Sequence, residues 1–175
     1  NRIFNIHFPW SDNNIYFDAG EGSGYDRISK AATNNDIETW HHWAFVKKTS
    51  TGQMFIYKDG VLWHQGTGMN RPIGKVARFI LGSNWDQQYQ YKGDIDEFSV
   101  WTSALDAATI SAWKNKKIDP THPNYSNLEV YFDFDGQKAM IDRSGNNRLG
   151  MCSDIAMIQH GVEPVAGITA VATVP

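Results

Sequence analysis

Two segments, Trp-His-His-Trp-Ala-Phe-Val-Lys-Lys (40–48) and Phe-Ile-Tyr-Lys-Asp-Gly-Val-Leu-Trp (55–63), decide the fold of this chain. Both are rich in aromatic and β-branched residues, which suit a pleated, half-buried surface. The second carries Asp59-Gly60 between two such runs. A two-residue Asp-Gly loop selects a type I′ turn, whose central residues both take positive φ, and so predicts a hairpin. Downstream stand Ile-Leu-Gly-Ser-Asn (80–84), Gly-Asp-Ile-Asp-Glu-Phe-Ser-Val-Trp (93–101) and Ala-Leu-Asp-Ala-Ala-Thr-Ile (104–110).

Outward from that centre, strands alternate with turn signals. Residues 2–8 and 15–18 alternate well enough for a hairpin around Ser11-Asp12-Asn13-Asn14. Residues 19–24 hold three glycines and read as a loop, either a ligand approach or a connection with unusual torsions. Strands are expected at 25–31, 43–48, 54–58, 61–65, 78–81, 91–101 and 128–134, and residues 33–36 read as a polar turn. One short helix is expected after Asp106, which can accept backbone N–H groups as an N-cap; Ile110 and Trp113 then share a face. The helix is expected to plug one end of the sandwich.

Composition narrows the function. The 175 residues suffice for one domain with a full core. Seven Trp, seven Tyr and nine Phe can serve a core or a stacking surface. A net charge of −3 argues against a nucleic-acid partner, which needs a basic face. No apolar run reaches the roughly 18 residues of a membrane span, so membrane insertion is not expected. Cys152 is the one cysteine, so no internal disulfide forms, and a buried thiol is its expected state. Without an initiator Met, the chain reads as a segment of a longer polypeptide. Residues 1–165 are read as one domain and 166–175 as a spacer or final strand.

The order Trp40 to Val46, Tyr57 to Gly60, Gly93 to Phe98 and Leu105 to Ile110 resembles the laminin-G-like, concanavalin-A-like lectin/glucanase jelly-roll family. The resemblance implies an all-β sandwich of two antiparallel sheets with one short helix. It also implies holding glycans or proteins more often than cutting them. Leu128 to Asp135 and Asp142-Arg-Ser-Gly-Asn either complete this sandwich or open a following repeat; unpaired edges and wet apolar faces favour completion. Relatives often hold calcium at the sheet rim. Oxygen donors here would be Asp18 and Asp26 beside the glycine loop, then Asn84, Asp86 and Asp94, with Asp142 and Asn146 as another cage. The same side chains also serve as turn caps.

Jelly-roll glycosidases set Glu-x-Asp-x-x-Glu along one strand. The nearest run is Asp94-Ile-Asp-Glu-Phe-Ser (94–99). On an extended strand Asp94 and Asp96 share a face, Glu97 points away, and Ser99 occupies the third carboxylate's place. That constellation is incomplete for two-carboxylate hydrolysis, and no catalytic residue is assigned. His7, His41, His42, His64, His122 and His160 stand in no nucleophile or zinc context.

The binding candidate is Asn84-Trp85-Asp86-Gln87-Gln88-Tyr89-Gln90-Tyr91, joined by Trp10 with Asp12 and Asn13. Flat rings cover the C–H face of a pyranose while amides and carboxylates bond its hydroxyls. Site residues are therefore expected at Asn84, Trp85, Asp86, Gln88, Tyr89, Tyr91 and Trp10; alternatively Trp85 and Tyr91 fill the sandwich end. The expected function is a non-catalytic, lectin-like or adhesive module of a larger secreted or cell-surface bacterial protein. It would bind a glycan or cell-surface polysaccharide, with calcium assistance, beside other domains of its parent. The alternatives are a protein–protein or spacer domain, and a polysaccharide-cleaving enzyme.

Overall fold

The computed structural model describes residues 3–84, 86, 88–135, 141–151 and 168–171. Strands β1 (Phe4–His7), β2 (Asn14–Gly20) and β3 (Tyr25–Ala31) form an antiparallel three-stranded sheet in the order β1-β2-β3. A single helical turn, α1 (Asn34–Ile37), follows, where a polar turn was expected. Its cap is Thr33, whose backbone N and Oγ1 both donate to Asp36 Oδ2 at 2.8 Å.

The larger sheet contains β4 (Trp43–Lys48), β5 (Gln53–Lys58), β6 (Val61–Thr67), β7 (Phe98–Trp101), β8 (Leu128–Phe132) and β9 (Ile168–Val171). Its order is β6-β5-β4-β9-β7-β8. All its pairings are antiparallel except those of β9, which runs parallel to both β4 and β7. Thus the all-β sandwich stands, with one parallel insertion. Residues 168–171 form a strand within the segment read as spacer or final strand, and β8 pairs with β7 rather than standing apart.

The hairpin between β5 and β6 has the expected geometry, with φ of 52° at Asp59 and 77° at Gly60. Asp59 also accepts from His42 N at 3.0 Å and lies 2.7 Å from His41 Nδ1, so the turn is tied to the start of β4. A side chain at Gly60 would meet Ser111 Cα at 2.8 Å, which fixes glycine there for packing as well as torsion.

Alternation on β4 builds three layers. Trp43 and Phe45 face the small sheet and join Ile15, Phe17, Ile28, Met54 and Ile56 in one core. Ala44 and Val46 face the other way and join Tyr57, Trp101, Ile110, Leu128 and Tyr131 in a second. Complete burial of Phe17 or Phe45 contributes about 2–3 kcal/mol each. Ile110 belongs to α2 (Ala107–Trp113), capped by Asp106 Oδ1 accepting from Thr109 N at 2.7 Å. The helix therefore covers a face of the large sheet rather than plugging its end. His122 is buried between the rings of Trp101 and Trp113, 4.4 and 4.6 Å away, and burial lowers its pKa.

One expected strand does not form, and another is shortened to its last four residues. Residues 78–81 have no ladder partner among the described residues, although Phe79 packs against Phe98 at 5.2 Å. Residues 91–97 are not extended into β7, because Glu97 has φ 51° and breaks the pleat before Phe98.

Candidate functional site

The small sheet has a dry inner face and a polar outer face. Register pairs His7 with Tyr16, Asp18 with Arg27 and Gly20 with Tyr25. Directly opposite residues share a face, and these stand opposite to the one carrying Phe17 and Ile28. Arg27 forms a bidentate pair with Asp18, Nε to Oδ1 at 2.6 Å and Nη2 to Oδ2 at 2.8 Å. Its guanidinium carbon also lies 4.7 Å from the Tyr16 ring centre and 5.1 Å from that of Tyr25.

The turn after β1 adds Trp10 to this face. Trp10 N donates to Asn14 O and Asn13 N to Trp10 O, both at 2.9 Å. Asp12 accepts from Asn14 N at 3.0 Å and from the Tyr16 hydroxyl at 2.6 Å. The Tyr16 bond holds the Asp12 carboxyl below its usual range and raises the Tyr16 phenol. The Trp10 ring lies 4.5 Å from the His7 ring.

Tyr89 arrives from the other candidate segment. Asn84 N donates to Gln88 O at 2.9 Å, Tyr91 N to Gly82 O at 2.7 Å, and Gln88 N to Asp86 Oδ1 at 3.2 Å. This loop presents the Tyr89 ring 5.2 Å from Trp10. Both rings are open to solvent, at 67% and 37% exposure. Tyr89 has φ 53°, a left-handed conformation that costs a residue with a Cβ about 1–2 kcal/mol.

The expected binding residues therefore divide. Trp10 and Tyr89 converge. Asn84, Asp86 and Gln88 build the loop that carries Tyr89. Tyr91 turns inward to pack on Phe8 at 6.4 Å, and burial, with Asp94 nearby, raises its phenol. Trp85 and Gln87 lie outside the described residues, as does Cys152. His7, Tyr16, Tyr25 and Arg27 were missed as surface residues. Their signal was the period-two placement of Tyr16 with Asp18, and of Tyr25 with Arg27, opposite the apolar positions.

The calcium candidates do not come together. Asp18 and Asp26 lie on opposite faces of one sheet, since Asp18 pairs with Arg27 while Asp26 stands opposite Ala19. Each carboxylate already meets a cation: Asp18 meets Arg27, and Asp26 accepts from Lys47 Nζ at 2.7 Å and from Arg71 N at 2.9 Å. Arg71 also packs 2.9 Å from where a Gly24 Cβ would stand, so its own chain covers the glycine loop there. Asp94 belongs to the separate segment before β7. Asp142 accepts from the backbone N–H groups of Tyr131, Ser144 and Arg148 at 2.9–3.0 Å, and Asn146 donates to Leu128 O; both are turn caps. Asp18, Asp26, Asp142 and Asn146 are thus already engaged with protein partners. Among the described residues no group of three or more His, Cys, Asp or Glu is placed to hold a metal.

With residues 94–97 outside the strand, the alternation expected of Asp94, Asp96 and Ser99 does not apply. Ser99 is fully buried and its Oγ accepts from Trp101 Nε1 at 3.0 Å. Glu97 accepts from the Tyr131 hydroxyl, and burial pushes its pKa up to about 7. Asp96 Oδ1 accepts from Glu97 N at 2.9 Å.

A family model described as the concanavalin A-like lectin/glucanases superfamily matches residues 1–111. The human neuronal pentraxin receptor is 29% identical over 96 residues, which is 49% of this chain and 19% of the receptor. The chain thus spans about a fifth of that relative's length. The crystal structure of an S-layer domain-containing protein from Clostridium thermocellum superposes with a TM-score of 0.38 and 19% identity, covering 62% of each chain. No helix among the described residues is long and apolar enough to cross a membrane.

Proposed function

The chain belongs to the concanavalin A-like lectin/glucanases superfamily, and from that premise we propose that it is a non-catalytic glycan-binding module of a larger secreted or cell-surface polypeptide. The family supports a carbohydrate-binding or adhesion role; glycan binding at a particular surface is the finer step. The observation that carries it is the meeting of Trp10 and Tyr89. These exposed rings come from segments far apart in sequence and sit 5.2 Å apart. Tyr89, 67% exposed on a left-handed backbone, adds little to stability, so a ligand is the better account of a ring held there. A sugar's C–H face is the partner such rings take up, and the amide of Gln88 and the carboxylate of Asp12 supply polar groups from the same two segments. Cell-surface polysaccharide is the partner class. No calcium ion is assigned to this surface.

The test is a glycan array probed with the folded protein, with and without a chelator, followed by tryptophan quenching. Binding to at least one glycan in both states is expected, with Trp10→Ala and Tyr89→Ala each weakening it at least about tenfold. An array silent in both states overturns the reading. Release of new reducing ends from a bound polysaccharide overturns its non-catalytic part.

A further inference from the structure

The geometry points to a longer ligand than one terminal sugar: a neutral, linear polysaccharide laid across the outer face of β1–β3. This rests on the glycan reading of Trp10 and Tyr89 and extends it to a class of ligand. From Tyr89 the rings continue without a break. Tyr89 to Trp10 is 5.2 Å, Trp10 to His7 4.5 Å, and His7 to Tyr16 5.9 Å. The Arg27 guanidinium then bridges Tyr16 and Tyr25. Successive rings tilt by 47°, 32° and 65°, so they make a continuous aromatic ridge rather than one flat plate. The far end is open too, with Tyr25 40% exposed.

Sheet geometry gives the length. His7 and Tyr16 share a rung, whereas Tyr25 sits opposite Gly20, four residues further along β2. That is about 13 Å along the strands and about 10 Å across the sheet. Trp10 and Tyr89 extend the track beyond the His7 end. Such a track accommodates several consecutive sugars, and a terminal monosaccharide would leave most of it empty.

Charge gives the class. Arg27 is the only Lys or Arg at the outward positions of these strands, and Asp18 takes two of its donors. Asp12 lies beside the track as an anion, its pKa lowered chiefly by the Tyr16 hydroxyl. The surface therefore offers no net positive charge to a uronate or sulfated polymer, and like-charge contact with Asp12 disfavours one. Neutral hydroxyls and C–H faces match it.

The experiment titrates the intact protein with cello-, xylo-, manno- and laminari-oligosaccharides from disaccharide to hexasaccharide, beside polygalacturonate and alginate. In one neutral series affinity should rise at least about tenfold with length. Tyr25→Ala should leave disaccharide affinity unchanged and lower hexasaccharide affinity about five- to tenfold, with Tyr25→Phe restoring it. Flat length dependence with a silent Tyr25→Ala overturns the track while leaving the Trp10–Tyr89 site standing. Binding of only the acidic polymers overturns the neutral class. Failure of every glycan overturns both this inference and the function it rests on.

Discussion

The two faces of the small sheet each carry one carboxylate paired to a cation, and the two pairs are built differently. On the inner face Asp26 meets Lys47, which crosses from β4, is 0% exposed, and also donates to Ala19 O at 3.0 Å. On the outer face Asp18 meets Arg27 from the neighbouring strand, and the guanidinium spreads between Tyr16 and Tyr25. A compact ammonium reaching between sheets joins two layers. A planar guanidinium lying on a sheet offers a flat surface to solvent. One residue of register separates the roles, since Asp18 opposes Arg27 and Asp26 opposes Ala19. The inner pair belongs to stability, and the proposed glycan reading gives the outer pair to recognition.

The strongest way to break this comparison is to remove one inner partner. Lys47→Met leaves Asp26 charged between the sheets with only Arg71 beside it. It should cost about 3–5 kcal/mol in urea unfolding at pH 7. Replacing both partners, Lys47→Met with Asp26→Leu, should recover most of that loss. Protein that remains folded should bind its glycan normally. A glycan defect in the folded double variant would deny the division of roles.

A half-buried carboxylate elsewhere sharpens it. Glu97 is held by the Tyr131 hydroxyl, and burial raises its pKa to about 7 from an ordinary 4.5. Between those values the folded chain keeps a proton that the unfolded chain has released. Stability should therefore fall as pH rises from 4.5 to 7 and level off above 7. Glu97→Gln keeps an acceptor for Tyr131 and removes the titration. It should raise stability at pH 8 by about 2 kcal/mol and leave it unchanged near pH 4. Equal effects at both pH values would show that burial of this carboxyl carries no cost. Asp36 behaves oppositely. Burial would raise it, but bonds from Lys58 and Thr33 bring it down to about 2. Its contribution is present above the ordinary carboxylate range and is lost only as pH falls toward 2.

How much of this was legible in sequence follows from which interactions are local. The Asp59-Gly60 turn, the Asp106 cap and the alternation of β4 each depend on residues within one or two turns of chain, and all are where the sequence puts them. The pairing of Asp18 with Arg27 depends on register across a hairpin, which alternation leaves open by two residues either way. The parallel seat of β9 between β4 and β7 joins residues distant along the chain, and no local pattern announces it. The same holds for Asp18 and Asp26: nearness in sequence set them side by side, while the pleat put them on opposite faces. Trp10 and Tyr89 were each legible as sugar-type residues, but their meeting was not.

On the outer face the expected effects are smaller in energy and larger in function. Trp10→Ala removes a part-exposed ring packed on His7 and Tyr89 and should lower unfolding free energy by no more than about 2 kcal/mol. Its glycan affinity should drop at least about tenfold, equivalent to about 1.4 kcal/mol. A stability loss well above that bound, measured by urea titration, would assign Trp10 to the core and reverse the comparison.

The finest test separates ring from backbone at one position. Tyr89 holds φ 53° with an exposed side chain. Tyr89→Ala removes the ring but keeps a Cβ, so the left-handed strain remains. Tyr89→Gly removes both, and relief of about 1–2 kcal/mol is offset by about 0.5–1 kcal/mol of added chain entropy. The glycine variant should therefore be more stable than wild type by about 0.5 kcal/mol, and the alanine variant should not. Both should lose glycan affinity alike. That outcome identifies a residue kept in a costly conformation for the surface it presents. A glycine variant no more stable than alanine would mean that the loop between Gly82 and Tyr91 holds Tyr89 without strain, and the case for this surface would then rest on the exposed rings alone.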